Sequence, residues 1–210
     1  MINATNDSKP RELVPAGSHA ARCYSMILLG TLTEEYMGEK KKMVKVRISW
    51  ELPEELRVFD ESKGEQPMVI SKEYTLSMYE MANLRKDLEG WRGQSFTEEE
   101  AKVFDITKLL GKPCLLSIIH DANKQGKAYA RISSISTLPK SMVCPAQINT
   151  NFEFNFAEKF NIDALEAMPE FIRLKIKSSD EYKALITPSE QDLTHDEPKT
   201  LNPTNSDLPF

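Results

Sequence analysis

Five cations stand within eight positions, at Lys40, Lys41, Lys42, Lys45 and Arg47 (KKKMVKVR), and Lys72, Lys124, Lys127 and Arg131 add four more along the chain. Side chains so concentrated contact phosphates and release counterions, an attraction blind to sequence and weakened by salt. On a sheet edge the same cations also serve simply to discourage strand-to-strand aggregation, and both readings stay open. Rings beside those charges would add base stacking, about 1–3 kcal/mol per base. The candidates are Tyr36, Trp50, Tyr74, Tyr79 and Tyr129. Trp50 shares its parity with Val44, Val46 and Ile48, and Tyr74 with Leu76, so core packing competes with stacking at both.

Catalytic chemistry is not what these residues offer. The chain has no phosphate-cradling G-x-x-x-x-G-K-[ST], no H-E-x-x-H and no G-x-S-x-G. His19, His120 and His195 are scattered, as are Cys23, Cys114 and Cys144, and no C-x-x-C occurs. That pattern fits buried reduced thiols better than a disulfide frame or a metal site. A non-enzyme without cofactor or metal is expected.

With 40% hydrophobic and 28% charged residues, the 210-residue chain has the composition of a core-building globular protein. Its net charge of -5 is uneven: Thr187 to Phe210 carries -4, from five acids against Lys199, and the preceding residues carry -1. No apolar run approaches the roughly 20 residues that span a bilayer, and the first residues lack the apolar core of a signal peptide. A cytosolic protein without membrane contact is expected.

The cations need elements to position them. Residues 21–32 are apolar and β-prone. Residues 42–52 alternate, with Val44, Val46, Ile48 and Trp50 on one face and Lys45, Arg47 and Ser49 on the other, which predicts a half-exposed strand stopped by Pro53. A third strand is expected over 68–78. The period then changes to helical: a capping-box pattern at Ser77–Glu80, apolar Met81, Leu84, Leu88 and Trp91, and Gly90 to end the helix. Thr97–Glu100 repeats the capping pattern, and residues 105–111 read as a short helical turn closed by glycine. Strands four and five are expected over 112–121 and 127–137, around a polar turn at 122–126. Phe152, Phe154 and Phe156 alternate like a further strand, suited to a buried face or an oligomer interface, and Pro169 opens a helix. From Thr187 the polar, proline-punctuated composition is that of a disordered tail.

The order β-β-β-α-β-β is that of the five-stranded Greek-key barrel known as the OB-fold, with its helix between strands three and four. Four segments are expected: an N-terminal arm (1–17), the barrel (18–140), a strand and helix extension packed on the barrel or at an oligomer interface (141–186), and an acidic tail (187–210). OB-folds receive single strands on the exposed face of strands two and three and on the loops joining strands one to two and four to five. Lys40, Lys41, Lys42, Lys45, Arg47, Lys72, Lys124, Lys127 and Arg131, with Tyr36, Trp50, Tyr74 and Tyr129, occupy that address.

The last residues read SDLPF. They resemble the acidic C-terminal tip of bacterial single-stranded-DNA-binding proteins, although that family carries several aspartates where this chain has only Asp207. The stretches VPAGSHAARCYSMILLGT, LRKDLEGWRG, LLGKPCLLSIIH and MPEFIRLKIKSSDEYKAL look like those of phage and prophage proteins described as single-stranded-DNA-binding. The resemblance implies sequence-nonspecific DNA coating during replication, recombination and repair in the cytoplasm of an infected or lysogenic host, by a homo-oligomer. It also implies that Phe210 enters a pocket of a replication or repair protein, with Leu208 and Pro209 shaping the fit and Asp207 meeting a basic rim. An accessory protein that uses the tip but binds DNA poorly, and an RNA-binding OB protein, are the alternatives.

Overall fold

The computed structural model describes residues 12–36, 38–157 and 160–186. Three long strands come first: β1 (Gly17–Tyr36), β2 (Glu39–Asp60) and β3 (Gly64–Thr75). Then follow α1 (Asn83–Arg92), α2 (Glu98–Val103), a 3-10 turn (Ile106–Leu109), β4 (Pro113–Ala122) and β5 (Ala128–Ser136). The extension holds β6 (Phe152–Phe154), α3 (Ile162–Glu166), α4 (Glu170–Ser178) and α5 (Asp180–Ile186). The chain is mainly β, an antiparallel sheet in the order β3-β2-β1-β4-β5 curled into a half-barrel. β1 changes partner along one edge: Gly17–Arg22 pairs with β4, and Ser25–Ile27 pairs in parallel with β6.

Alternation gives the sheet a filled inner face. Val46, Ile48, Trp50 and Leu52 of β2, Ile70 and Tyr74 of β3, and Leu116 and Ile118 of β4 are buried there with Leu84, Leu88 and Trp91 of α1. Helix α1 lies close enough to β5 that a Cβ added at Gly90 would stand 2.4 Å from the Ile135 carbonyl oxygen. Gly90 is therefore a contact glycine; the helix instead ends at Gly93, whose φ of 76° suits a left-handed cap.

Register shifts at Cys23/Ser25 and Leu28/Gly30 accompany a change of facing in β1. Met26 belongs to the inner core, whereas Ile27 and Leu29 join Phe154, Leu165, Met168, Ile172 and Ile176 in a second core under the extension. Phe154, Phe156 and Phe160 form a ring cluster at its edge. At Gly30 (φ 87°) an added Cβ would meet the Ser179 Cβ at 2.6 Å, so β1 and the α4–α5 junction nearly touch. Glu181 completes that contact by accepting from the Thr31 backbone N–H and hydroxyl, both at 2.6 Å. Its burial opposes ionisation, but the two Thr31 donors outweigh it and hold the carboxyl below its ordinary range.

The connection from β5 to β6 crosses β1 and β2 and is held by two charged side chains opposite each other in register, Arg22 and Glu51. Arg22 donates to the carbonyls of Pro145 (2.6 Å), Cys144 (3.0 Å) and Gly111 (3.0 Å). Glu51, with no exposed surface, accepts from the backbone N–H groups of Ile148 and Asn149 and from Asn149 Nδ2, each at 2.7 Å. A buried carboxylate is tolerable here because each oxygen is met by a donor.

Three local expectations are corrected. Pro53 does not stop β2, which runs on to Asp60; the proline sits within the register shift between Leu52 and Leu56, where a missing N–H breaks no ladder bond. Ser77 does not cap α1: its Oγ accepts from the Tyr79 N–H, and the helix starts six residues later behind Ala82, which makes no side-chain cap. The Phe152–Phe156 stripe becomes a three-residue strand rather than a longer one. At α2 the capping box of Thr97 and Glu100 is complete on both sides.

Candidate nucleic-acid interface

The outward residues of β2, Lys45, Arg47 and Ser49, face away from the inner core. In β3, Glu73 stands opposite Arg47 and Ser71 opposite Ser49. Ser71 donates to Ser49 Oγ at 2.9 Å, making a small polar floor. The Arg47 guanidinium donates to Glu73 at 3.0 Å and lies 5.2 Å from the centre of the Phe171 ring on α4. Lys175, one turn on from Phe171, donates to the other Glu73 oxygen at 2.6 Å. Between this floor and α4 opens a cleft of about 380 Å³, mostly apolar, in which Tyr24, Phe152 and Phe171, three serines (Ser25, Ser49 and Ser71) and Arg47 share the lining with aliphatic side chains such as Ile27, Val69 and Met168.

Phe171 is 51% exposed, an apolar ring left in solvent above a cation. Burial pushes the Tyr24 hydroxyl above its ordinary value, helped by the Glu51 charge, so it remains a neutral donor at neutral pH. The cleft thus offers ring faces, hydroxyls and a guanidinium together, the groups that take up a base and a phosphate.

The basic octet has a different environment from the one its sequence suggests. The β1–β2 register sets Lys40 opposite Glu35 and Lys41 opposite Glu34, so the lysines face an acidic run. Lys45 pairs with Glu34 at 2.6 Å, Lys42 with Asp180 of α5 at 2.7 Å, and Lys41 with Glu39 at 3.4 Å. Hydrogen bonding from Lys42 holds the Asp180 carboxyl below its ordinary range. At the other end of the sheet, on the β4–β5 turn, Lys124 and Lys127 are exposed, and Arg131 pairs with Asp121 at 3.0 Å. The nine cations therefore do not converge on one patch.

Several expected contacts lie elsewhere. Lys72 is on the inner-face parity of β3, bonded at 2.6 Å to Asp87 of α1. Tyr74 is buried with its hydroxyl donated to that carboxylate at 2.7 Å, and burial raises its pKa far above the ordinary phenol range. Trp50 has no exposed surface and tilts against Trp91 at 5.9 Å. Neither ring presents a face to a base, because the period that made β2 and β3 amphipathic puts both inside. Tyr129 is 41% exposed on β5. Tyr36 ends β1, and Asp207, Leu208, Pro209 and Phe210 lie outside the described residues.

Sequence reasoning missed Tyr24, Glu73, Phe171 and Lys175. Their meeting depends on α4 folding back onto strands about a hundred residues earlier, for which a single sequence carries no signal. Among the described residues no group of three or more histidines, cysteines, aspartates or glutamates could hold a metal ion, and no helix is long and apolar enough to cross a membrane. No protein-family model matches the chain, and no curated protein matches it.

Proposed function

We propose that this is a non-enzymatic single-stranded-DNA-binding protein built on an OB-fold, coating exposed strands during replication or recombination without regard to sequence. The observation that carries the reading is the cleft on the outer face of β1 to β3, where Arg47, Phe171, Tyr24 and the serine floor combine charge, ring faces and hydroxyls. The fold reading is supported by the strand order β3-β2-β1-β4-β5 and by helix α1, which follows β3 and touches both β3 and β5, the two free ends of the half-barrel. Lys124 and Lys127 on the β4–β5 turn and Tyr129 on β5 stand at the other end of the sheet, where only a strand long enough to leave the cleft would meet them. Asp207, Leu208, Pro209 and Phe210 recruit replication or repair proteins in this reading, on the strength of their resemblance to the bacterial tip.

Fluorescence anisotropy with labelled oligothymidylate tests it, using the full chain and a version ending at Thr187 at low and high salt. Binding by both versions, weakened by salt and preserved or tightened by truncation, is the expected result. The absence of single-strand binding by either folded version would remove the reading. An accessory interaction protein that works mainly through the tip would then take its place, a reading favoured by one observation: most cations of β2 are already paired with carboxylates.

A further inference from the structure

Two carboxylates stand along the outer face of β2, and each holds a cation that a phosphate would need. Glu34 takes Lys45 at 2.6 Å, and Glu73 takes both Arg47 at 3.0 Å and Lys175 at 2.6 Å. Glu73 bridges two cations, one from the sheet and one from α4. Its side chain is 28% exposed, so a ligand lying on the sheet reaches it.

We infer that Glu73 is the affinity-setting residue of this face: its carboxylate occupies the position of a backbone phosphate between Arg47 and Lys175, and a nucleic acid binds by displacing it. The inference rests on the reading of this face as a single-strand site. Displacement exchanges one anion for another, so a single phosphate gains little over the carboxylate already in place. A polyanion gains more, because several phosphates engage the row together and each acts at the high effective concentration set by the preceding contact. Lys45 and Arg47 are two residues apart on the same face of β2, about 7 Å at strand rise, and Lys175 of α4 continues the row. The ligand class is therefore a single strand long enough to engage Lys45, Arg47 and Lys175 together, and a dinucleotide, with its single phosphate, is disfavoured by the protein's own acid.

The test compares full-length wild type, Glu73→Gln and the control Glu65→Gln by anisotropy with oligothymidylate and with a labelled thymidine dinucleotide. Glu65 lies exposed at the far end of β3 opposite Val58, so the control removes the same charge without touching Arg47 or Lys175. Glu73→Gln should bind the oligomer about tenfold tighter than the control, equivalent to about 1.4 kcal/mol. Its salt dependence should steepen by about 0.7 for each additional phosphate neutralised, hence up to about 1.4 for two cations. Dinucleotide binding should appear in Glu73→Gln alone. Equal affinities and slopes for Glu73→Gln and Glu65→Gln, with wild type still binding the oligomer, would overturn the inference and leave the single-strand reading standing. Folded proteins that bind no oligomer in any of the three forms would overturn both, whereas binding by Glu73→Gln alone would support the inference directly.

Discussion

Replacing Glu51 should loosen the connection that carries the chain from the sheet to its C-terminal helices. The carboxylate receives three hydrogen bonds at 2.7 Å and has no exposed surface. Hydrogen bonds to a charged group contribute about 1.5–3 kcal/mol each, which for three bonds sets an upper bound of about 9 kcal/mol. The actual loss is smaller for two reasons. Ile148 is 53% exposed, so the released segment can lift and give its N–H groups to water, and removing a buried charge also removes its desolvation cost. Arg22 continues to hold Cys144 and Pro145. The balance for Glu51→Ala, three lost charge-assisted hydrogen bonds less these two reliefs, is a destabilisation of about 3 kcal/mol. Glu51→Gln, which keeps one accepting oxygen but turns an NH2 toward a donor, should lose about half as much. At an m-value of about 2 kcal/mol/M, the urea midpoint of Glu51→Ala moves down by about 1.5 M with unchanged m. Hydrogen exchange should show Ile148 and Asn149 losing protection before the β2 amides do. A shift under about 0.3 M, or unchanged protection at those two amides, would refute the argument that this carboxylate anchors the segment.

Gly90→Ala should lower the midpoint of thermal unfolding. The new Cβ would sit 2.4 Å from the Ile135 oxygen, an overpacking that costs about 1–3 kcal/mol and exceeds the roughly 1 kcal/mol helix-propensity gain; a rise in melting temperature would contradict it. Glu181 has a folded-state pKa below its unfolded one, so its contribution is present above about pH 4.5 and lost as pH falls through the folded value. Glu181→Gln should therefore be less stable than wild type at neutral pH and converge with it in acid, as read from urea midpoints across that range; parallel curves would count against the Thr31 contact. Burial pushes the Cys23 thiol up to about 12 and raises Cys114 and Cys144 as well, so all three should resist a thiol reagent at about pH 8 and react together only on unfolding.

The alternation of β2 and the capping box of α2 were legible because each is written within a few residues. Pro53 misled because proline ends a strand only where its N–H is needed, and a bulge is a place where it is not. Trp50 and Tyr74 carried their answer in their parity, and both turned inward with it. The basic octet was legible in type but not in effect. Its partners in TEEY lie across a tight turn, where the register sets Glu34 and Glu35 against Lys41 and Lys40. A hairpin read as a pair of strands, rather than strand by strand, would have shown that neutralisation. The cleft at Arg47 was illegible because half of it comes from α4, which reaches the sheet only through tertiary packing.

The parallel pairing of β6 with β1 has a consequence during synthesis. β1, β2 and β3 form a local meander that can pair as soon as it is made, but Ile27 and Leu29 wait for Ile172 and Ile176 to cover them. At about 5–20 residues per second, nearly 150 residues of further translation leave that apolar strip open for roughly 7–30 seconds. Arg22 and Glu51 meet their partners at 144–149 only when the C-terminal third is made, so until then their charged groups turn to water instead.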